Sequence, residues 1–165
     1  MAKILIICTA NICRSPVAAA LLRDRLRRRG LTDWQVGSAG TWAMESRGAS
    51  RYSVQVSARN GLDISGHRST MVDEAFLREA DLVLTMEDGH AEALRSEFAE
   101  QGYKVYQLSE MIGRVYNIAD PYGGPLAEYE RMYADLSEVI DGGLNRIIML
   151  AQDNAARRPP ARQTR

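Results

Sequence analysis

The chain has 165 residues, 45% of them hydrophobic and 25% charged, the composition of one ordinary globular domain rather than of a disordered or fibrous protein. Formal charge is balanced, 21 Lys and Arg against 21 Asp and Glu, which gives no electrostatic footprint of a dedicated nucleic-acid binder. Two cysteines, Cys8 and Cys13, exclude a disulfide scaffold and a four-cysteine zinc site, and no apolar run is long enough to span a membrane, so a cytoplasmic protein with reduced thiols is expected.

Residues 3–8 (Lys-Ile-Leu-Ile-Ile-Cys) are a continuous apolar, β-branched run, the pattern of a strand buried on both faces of a parallel sheet. A short loop follows. Ser15 and Pro16 predict a helix start, with Ser15 as N-cap and Pro16 at the first helical position. Val17, Ala20, Leu21 and Leu26 are roughly helically spaced, and Gly30 ends the helix. Residues 34–39 predict a short strand, and a polar stretch runs on to Ser50. Helices are expected over 53–60, closed by Gly61, and over 72–79. Residues 81–85 (Asp-Leu-Val-Leu-Thr) form a second buried-strand pattern, followed by a helix over 91–100 and a last short strand over 105–108. Leu126, Tyr129, Tyr133, Leu136, Ile140, Leu144 and Ile147 step by three or four residues. That is one long amphipathic helix, which Gly142 and Gly143 should weaken. Strand alternating with helix predicts an α/β domain with a mainly parallel sheet. The domain is placed at residues 1–154. Residues 155–165 hold four arginines, two prolines and no acid, and are expected to be a disordered basic tail; the rest of the chain is then net acidic.

In an open α/β sheet, ligands bind beyond the carboxyl ends of the strands. The segment Cys8-Thr9-Ala10-Asn11-Ile12-Cys13-Arg14-Ser15 lies at that place, after the first strand and before a helix. Such a turn points several backbone N–H groups at one spot and adds the positive end of the helix, which makes an anion site suited to phosphate. It lacks the Gly-Lys-Ser/Thr of a Walker loop. It carries instead a cysteine at its start and an arginine six positions later. The N–H groups and positive charge that hold phosphate also favour a thiolate, a strong nucleophile. The planar fork of Arg14 can hold two phosphate oxygens at once. A lone Cys-x5-Arg would fit an inert thiol and an ordinary helix-start arginine. The preceding strand, Asn11, Ser15 and Pro16 favour the phosphate reading.

The run from Cys8 to Pro16 resembles the signature loop of the low-molecular-weight protein tyrosine phosphatases. Ser38-Ala39-Gly40, the Gly-Leu-Asp-Ile-Ser-Gly-His stretch ending at His67, Leu84-Thr85-Met86-Glu87 and Asp120-Pro121-Tyr122-Gly123-Gly124 are similar to further segments of that family, so the resemblance covers roughly residues 3–150. It implies a four-stranded parallel sheet of order 2-1-3-4 with helices on both faces, and neither cofactor nor metal. It implies that Cys8 attacks phosphorus to form a phosphocysteine, while Arg14 and the loop N–H groups hold the phosphate oxygens. Asp120 is implied as the acid that protonates the leaving phenol and then as base for the hydrolytic water; alone, an aspartate before proline is a turn pattern. Thr9, Ala10, Asn11, Ile12, Cys13 and Ser15 are expected to bind substrate. Ser15 is implied to donate to the thiolate, Asn11 to order the loop, and Ser38 and His67 to support it. Tyr122 should line the pocket mouth and stack on the substrate ring, with Trp42 on the opposite wall. Cys13 is implied as the partner of a reversible disulfide protecting Cys8; its residue type alone fits a small buried side chain. One departure stands out: the family loop usually has glycine two positions after the nucleophile, where this chain has Ala10. If that position needs positive φ or close approach to phosphate, alanine carries a cost.

Relatives on this scaffold differ in substrate. Arginine phosphatases carry threonine directly before the second cysteine; here Ile12 stands there, and its apolar side chain favours an aromatic phosphoester. Arsenate reductases relay electrons through further downstream cysteines, and this chain has none after Cys13. A phosphate-binding module without turnover would need neither nucleophile nor acid. The expected partner is a phosphotyrosine protein, a tyrosine kinase being one candidate, with no nucleic acid and no membrane span, and the expected assembly is a monomer or weak dimer.

Overall fold

The structure, a computed structural model, describes residues 1–158. Four strands, β1 (Lys3–Cys8), β2 (Gln35–Gly40), β3 (Leu82–Thr85) and β4 (Val105–Gln107), form one parallel sheet in the order β2-β1-β3-β4. In β1, Ile7 sits opposite Ala39 on one side and Thr85 on the other, so the ends of β1, β2 and β3 come level at the carboxyl edge. Side chains alternate along β1 as the pleat demands. Ile4, Ile6 and Cys8 enter the larger core with α1 (Arg14–Arg28) and α5 (Leu126–Arg157). Leu5 and Ile7 enter a smaller one with Leu77 of α3 (Glu74–Glu79) and Ala91 and Leu94 of α4 (Asp88–Glu97). Helices thus cover both faces, which is why β1 is apolar without a break. Among the described residues no helix is long and apolar enough to cross a membrane.

Several boundaries differ from the expected ones, each for a local reason. The first helix begins at Arg14, with Cys13 as an N-cap whose side chain makes no capping bond. Ser15 lies inside the helix, because its hydroxyl is engaged by the loop rather than by a free N–H of the first turn. Helix α2 spans Arg51–Arg59, two residues earlier than expected. Helix α3 starts only at Glu74, where the Asp73 side chain accepts from the Phe76 N–H as a cap. Helix α4 starts at Asp88, and the chain over Ala99–Lys104 tightens into 3₁₀ turns. A second 3₁₀ segment, Leu108–Ile112, follows β4.

Gly142 and Gly143 do not interrupt α5. They let it approach that second 3₁₀ segment: a Cβ on Gly143 would lie 2.5 Å from Cβ of Met111. The helix also runs through residues 155–157, placed in the tail by sequence, and Arg158 pairs with the buried Asp81 carboxylate at 2.5 Å. Asn154 donates to the Asp81 carbonyl at 2.8 Å. These contacts give the end of the helix a partner at the foot of β3. The remainder of the expected basic tail, residues 159–165, lies outside the described residues.

Candidate active site

Three segments meet at the carboxyl edge of the sheet: the loop after β1, the turn after β3 and the stretch before α5. Cys8, Ala10, Ile12, Cys13, Arg14, Asp120 and Tyr122 line one small pocket there. Among the described residues, the N–H groups of residues 9–13 donate to no protein acceptor. With the first turn of α1 they form a cradle of free donors around the pocket.

Asn11 holds the loop in shape. Its φ is +57°, a left-handed conformation that asparagine tolerates better than most residues. The side chain is fully buried and uses every hydrogen-bonding arm. Nδ2 donates to Ser15 Oγ at 2.8 Å and to Ser38 Oγ at 2.9 Å, and Oδ1 accepts from the Thr70 N–H at 3.0 Å. The Asn11 carbonyl lies 2.6 Å from Nε2 of His67, which must therefore carry the proton and donate. Burial holds His67 below the ordinary histidine range, which favours the neutral ring. Ala10 is not among the residues of positive φ, so the loop accommodates it without left-handed strain, and it is one of the residues lining the pocket. The tight position is Gly40 at the end of β2: a Cβ there would lie 2.3 Å from the Thr9 carbonyl oxygen.

Ser15 Oγ lies 3.0 Å from Cys8 Sγ. Because Asn11 Nδ2 can only donate, Ser15 accepts from it and has its own proton free to give to sulfur. Both cysteines are free thiols. Cys13 Sγ lies 3.7 Å from the Tyr129 hydroxyl, and burial pushes the Cys13 thiol up. Tyr129 is itself pushed up to about 12, chiefly by burial.

Arg14 is 1% exposed. Its Nη1 is held by the Glu87 carboxylate and by the Ile118 carbonyl at 2.8 Å. Its Nη2 lies 3.5 Å from both Thr9 Oγ1 and Asp120 Oδ2. Its Nε is buried and has no partner. A buried charged donor left open costs stability unless a ligand accepts from it. Asp120 also accepts the Tyr122 N–H on Oδ1 at 3.1 Å, which fixes the turn that carries both residues.

The structure therefore brings together Cys8, Arg14, Asp120, Asn11, Ile12, Ser15 and Tyr122, with Ser38 and His67 behind the loop. Trp42 stands apart: its backbone N–H donates to the Thr9 carbonyl at 2.9 Å, but its ring is 81% exposed and lines no part of the pocket. Thr9 turns its side chain away from the pocket to His90, at 2.8 Å. Glu87 and His90 carried no role by sequence. The signal for Glu87 was its place just past the end of β3, beside β1 in the sheet; His90 offered none beyond being a lone histidine.

A sequence model described as low molecular weight phosphotyrosine protein phosphatase matches residues 3–154. A probable low molecular weight protein-tyrosine-phosphatase, EpsP, of Ralstonia nicotianae is 35% identical over 87% of this chain and 94% of its own length. A protein-arginine-phosphatase of Geobacillus stearothermophilus is 36% identical over 84% of this chain and 91% of its own. The crystal structure of a low molecular weight protein tyrosine phosphatase from T. tengcongensis superimposes with a TM-score of 0.84 at 36% identity, covering 88% of this chain and 99% of that one.

Proposed function

The chain belongs to the low molecular weight phosphotyrosine protein phosphatase family, a family of hydrolases, and on that premise we propose that it removes phosphate from protein tyrosines through a phosphocysteine on Cys8. The observation that carries this reading is the buried, unpartnered Nε of Arg14 in the pocket that also holds Cys8 and Asp120. A phosphoryl oxygen supplies the missing acceptor.

The Cys8 thiolate attacks phosphorus in line with the ester oxygen, forming the S–P bond as the P–O bond to the aryl group breaks. Arg14 Nε and the free loop N–H groups take the equatorial oxygens. Asp120 gives its proton to the leaving phenolate oxygen. Water then attacks the phosphocysteine, Asp120 takes its proton, the S–P bond breaks and the thiolate returns. Ser15 supports the thiolate, before attack and again after hydrolysis, by donating to sulfur. Tyr122, exposed at the pocket mouth, offers an aromatic face to the substrate ring.

Ile12 supports the aryl ester: it is 5% exposed and lines the pocket with an apolar wall. The near-equal identity to a protein-arginine-phosphatase keeps phosphoarginine as the second reading. Phosphate release from matched phosphotyrosine and phosphoarginine peptides, without added metal, separates them. The expected result is a higher kcat/KM for phosphotyrosine; a preference for phosphoarginine replaces the substrate and leaves the mechanism standing. A phosphoprotein substrate that is itself a tyrosine kinase, a cytoplasmic location and a monomeric or weakly dimeric state belong to the same proposal.

A further inference from the structure

Asn11 and its partners fix the loop backbone, but a different set of contacts reaches the arginine. Thr9 Oγ1 lies 2.8 Å from Nε2 of His90 and 3.5 Å from Nη2 of Arg14. His90 sits in the first turn of α4, is 6% exposed, and its Nδ1 is buried without a partner. The guanidinium can only donate, so Thr9 accepts from it and has one proton left to give. A neutral imidazole nitrogen accepts that proton. The chain then runs from Arg14 Nη2–H to Thr9 Oγ1–H to His90 Nε2. The charges facing His90 are Arg14 from the phosphate loop, Glu87 and Asp88 from the start of α4, and Asp120 from the segment before α5. Burial, and then the charge of Arg14, hold the imidazole below the ordinary histidine range, which favours the neutral ring, and its Nε2 accepts in the tautomer that carries the proton on Nδ1.

Nη2 lies 3.5 Å from two oxygens, the Thr9 hydroxyl, which accepts a hydrogen bond from it, and the Asp120 carboxylate, which faces it as an ion pair. Whichever strengthens its hold decides where that arm of the fork points and whether the Asp120 carboxyl is free to exchange a proton with substrate. We propose that His90 is a positioning residue for phosphoryl transfer: as a neutral acceptor it turns the Thr9 hydroxyl so that Thr9, not Asp120, holds Nη2 of Arg14. Protonated His90 would instead donate to Thr9 and stand as a second cation beside Arg14, which weakens the hold. The side chains of Thr9 and His90 act on the phosphoryl site through Arg14.

The proposal rests on the roles given above to Cys8, Arg14 and Asp120, and its test separates the two. Hydrolysis of p-nitrophenyl phosphate, inhibition by inorganic phosphate and calorimetric phosphate binding are compared for the native chain, Thr9→Val, His90→Ala, His90→Gln and Thr9→Val/His90→Ala. A hydrogen bond to a charged group of this kind predicts a loss of about tenfold in kcat/KM and a weaker hold on phosphate for Thr9→Val and for His90→Ala. The double variant should lose no more than the worse single one. Gln at position 90 places an amide oxygen near the former Nε2 and should recover kcat/KM to within about threefold of native, with an acid limb of the pH profile displaced to lower pH. Multiplying losses in the double variant overturn the proposal. So does a folded His90→Ala with native kcat/KM and native phosphate binding, or a His90→Gln no better than His90→Ala. A native chain without turnover would remove the phosphatase reading, while phosphate binding across the same variants would still decide the positioning role.

Discussion

Asn11→Ala attacks the phosphate loop at the residue that shapes it. Two costs add. Alanine at φ +57° pays the left-handed penalty, about 1–2 kcal/mol. The Asn11 side chain also makes three hydrogen bonds, to Ser15, Ser38 and the Thr70 N–H, each contributing about 1 kcal/mol net. The expected destabilisation is about 4–5 kcal/mol, at the upper end of what one substitution does. Asn11→Gly separates the two costs: it loses the same hydrogen bonds but tolerates positive φ, and should be the milder change by roughly 1 kcal/mol after the added unfolded-state entropy of glycine. Urea denaturation of the three proteins gives the free energies, and p-nitrophenyl phosphate turnover gives kcat/KM. Both variants should lose kcat/KM by more than tenfold, because the N–H cradle and the orientation of Ser15 toward sulfur depend on Asn11. Asn11→Ala as stable as native, or milder than Asn11→Gly, would refute the reasoning.

Two further outcomes concern stability. His67 and His90 are both held below the ordinary histidine range by burial. As pH falls through about 6.5 the unfolded chain takes up protons that the native chain refuses, so stability declines from that point down to the native titrations and then levels; urea midpoints independent of pH between about 7.5 and 5.5 would contradict this. Gly40→Ala drives a Cβ against the Thr9 carbonyl, 2.3 Å away, and should cost about 1–3 kcal/mol together with reduced kcat, since the loop backbone must shift to make room. A crystal structure of that variant with an unmoved loop would contradict it.

The parts of this protein that were legible in its sequence are those where one physical requirement dominates. A strand covered on both faces must be apolar throughout, so β1 and β3 were plain, and with them the parallel sheet. A loop that binds phosphate between strand and helix needs a defined set of residues, so Cys8, Arg14 and Asn11 stood out together. Ser15 was misplaced by two positions because two rules compete for a serine near a helix start. The cap was read, but the hydroxyl serves Cys8 and Asn11. The glycine pair in α5 was read as a weakness, since propensity is local and the approach of Met111 is not. Glu87 and His90 escaped because their partners, Arg14 and Thr9, lie more than seventy residues away in sequence, and no spacing rule links them. Trp42 was placed at the pocket wall by resemblance alone; its ring is set by a loop whose side-chain direction the pattern does not encode.

The central claim is that phosphate passes through the sulfur of Cys8. Asp120→Ala should keep much of its first step with p-nitrophenyl phosphate, whose leaving group needs little protonation, but should lack the base for the second step. Phosphorylated enzyme must then accumulate. Acid quenching of that variant during turnover, followed by peptide mass spectrometry, should find phosphate on the peptide containing Cys8, and Cys8→Ser should release no phosphate in steady state. Continued turnover by Cys8→Ser, with no phosphopeptide in the Asp120→Ala reaction, would contradict the account.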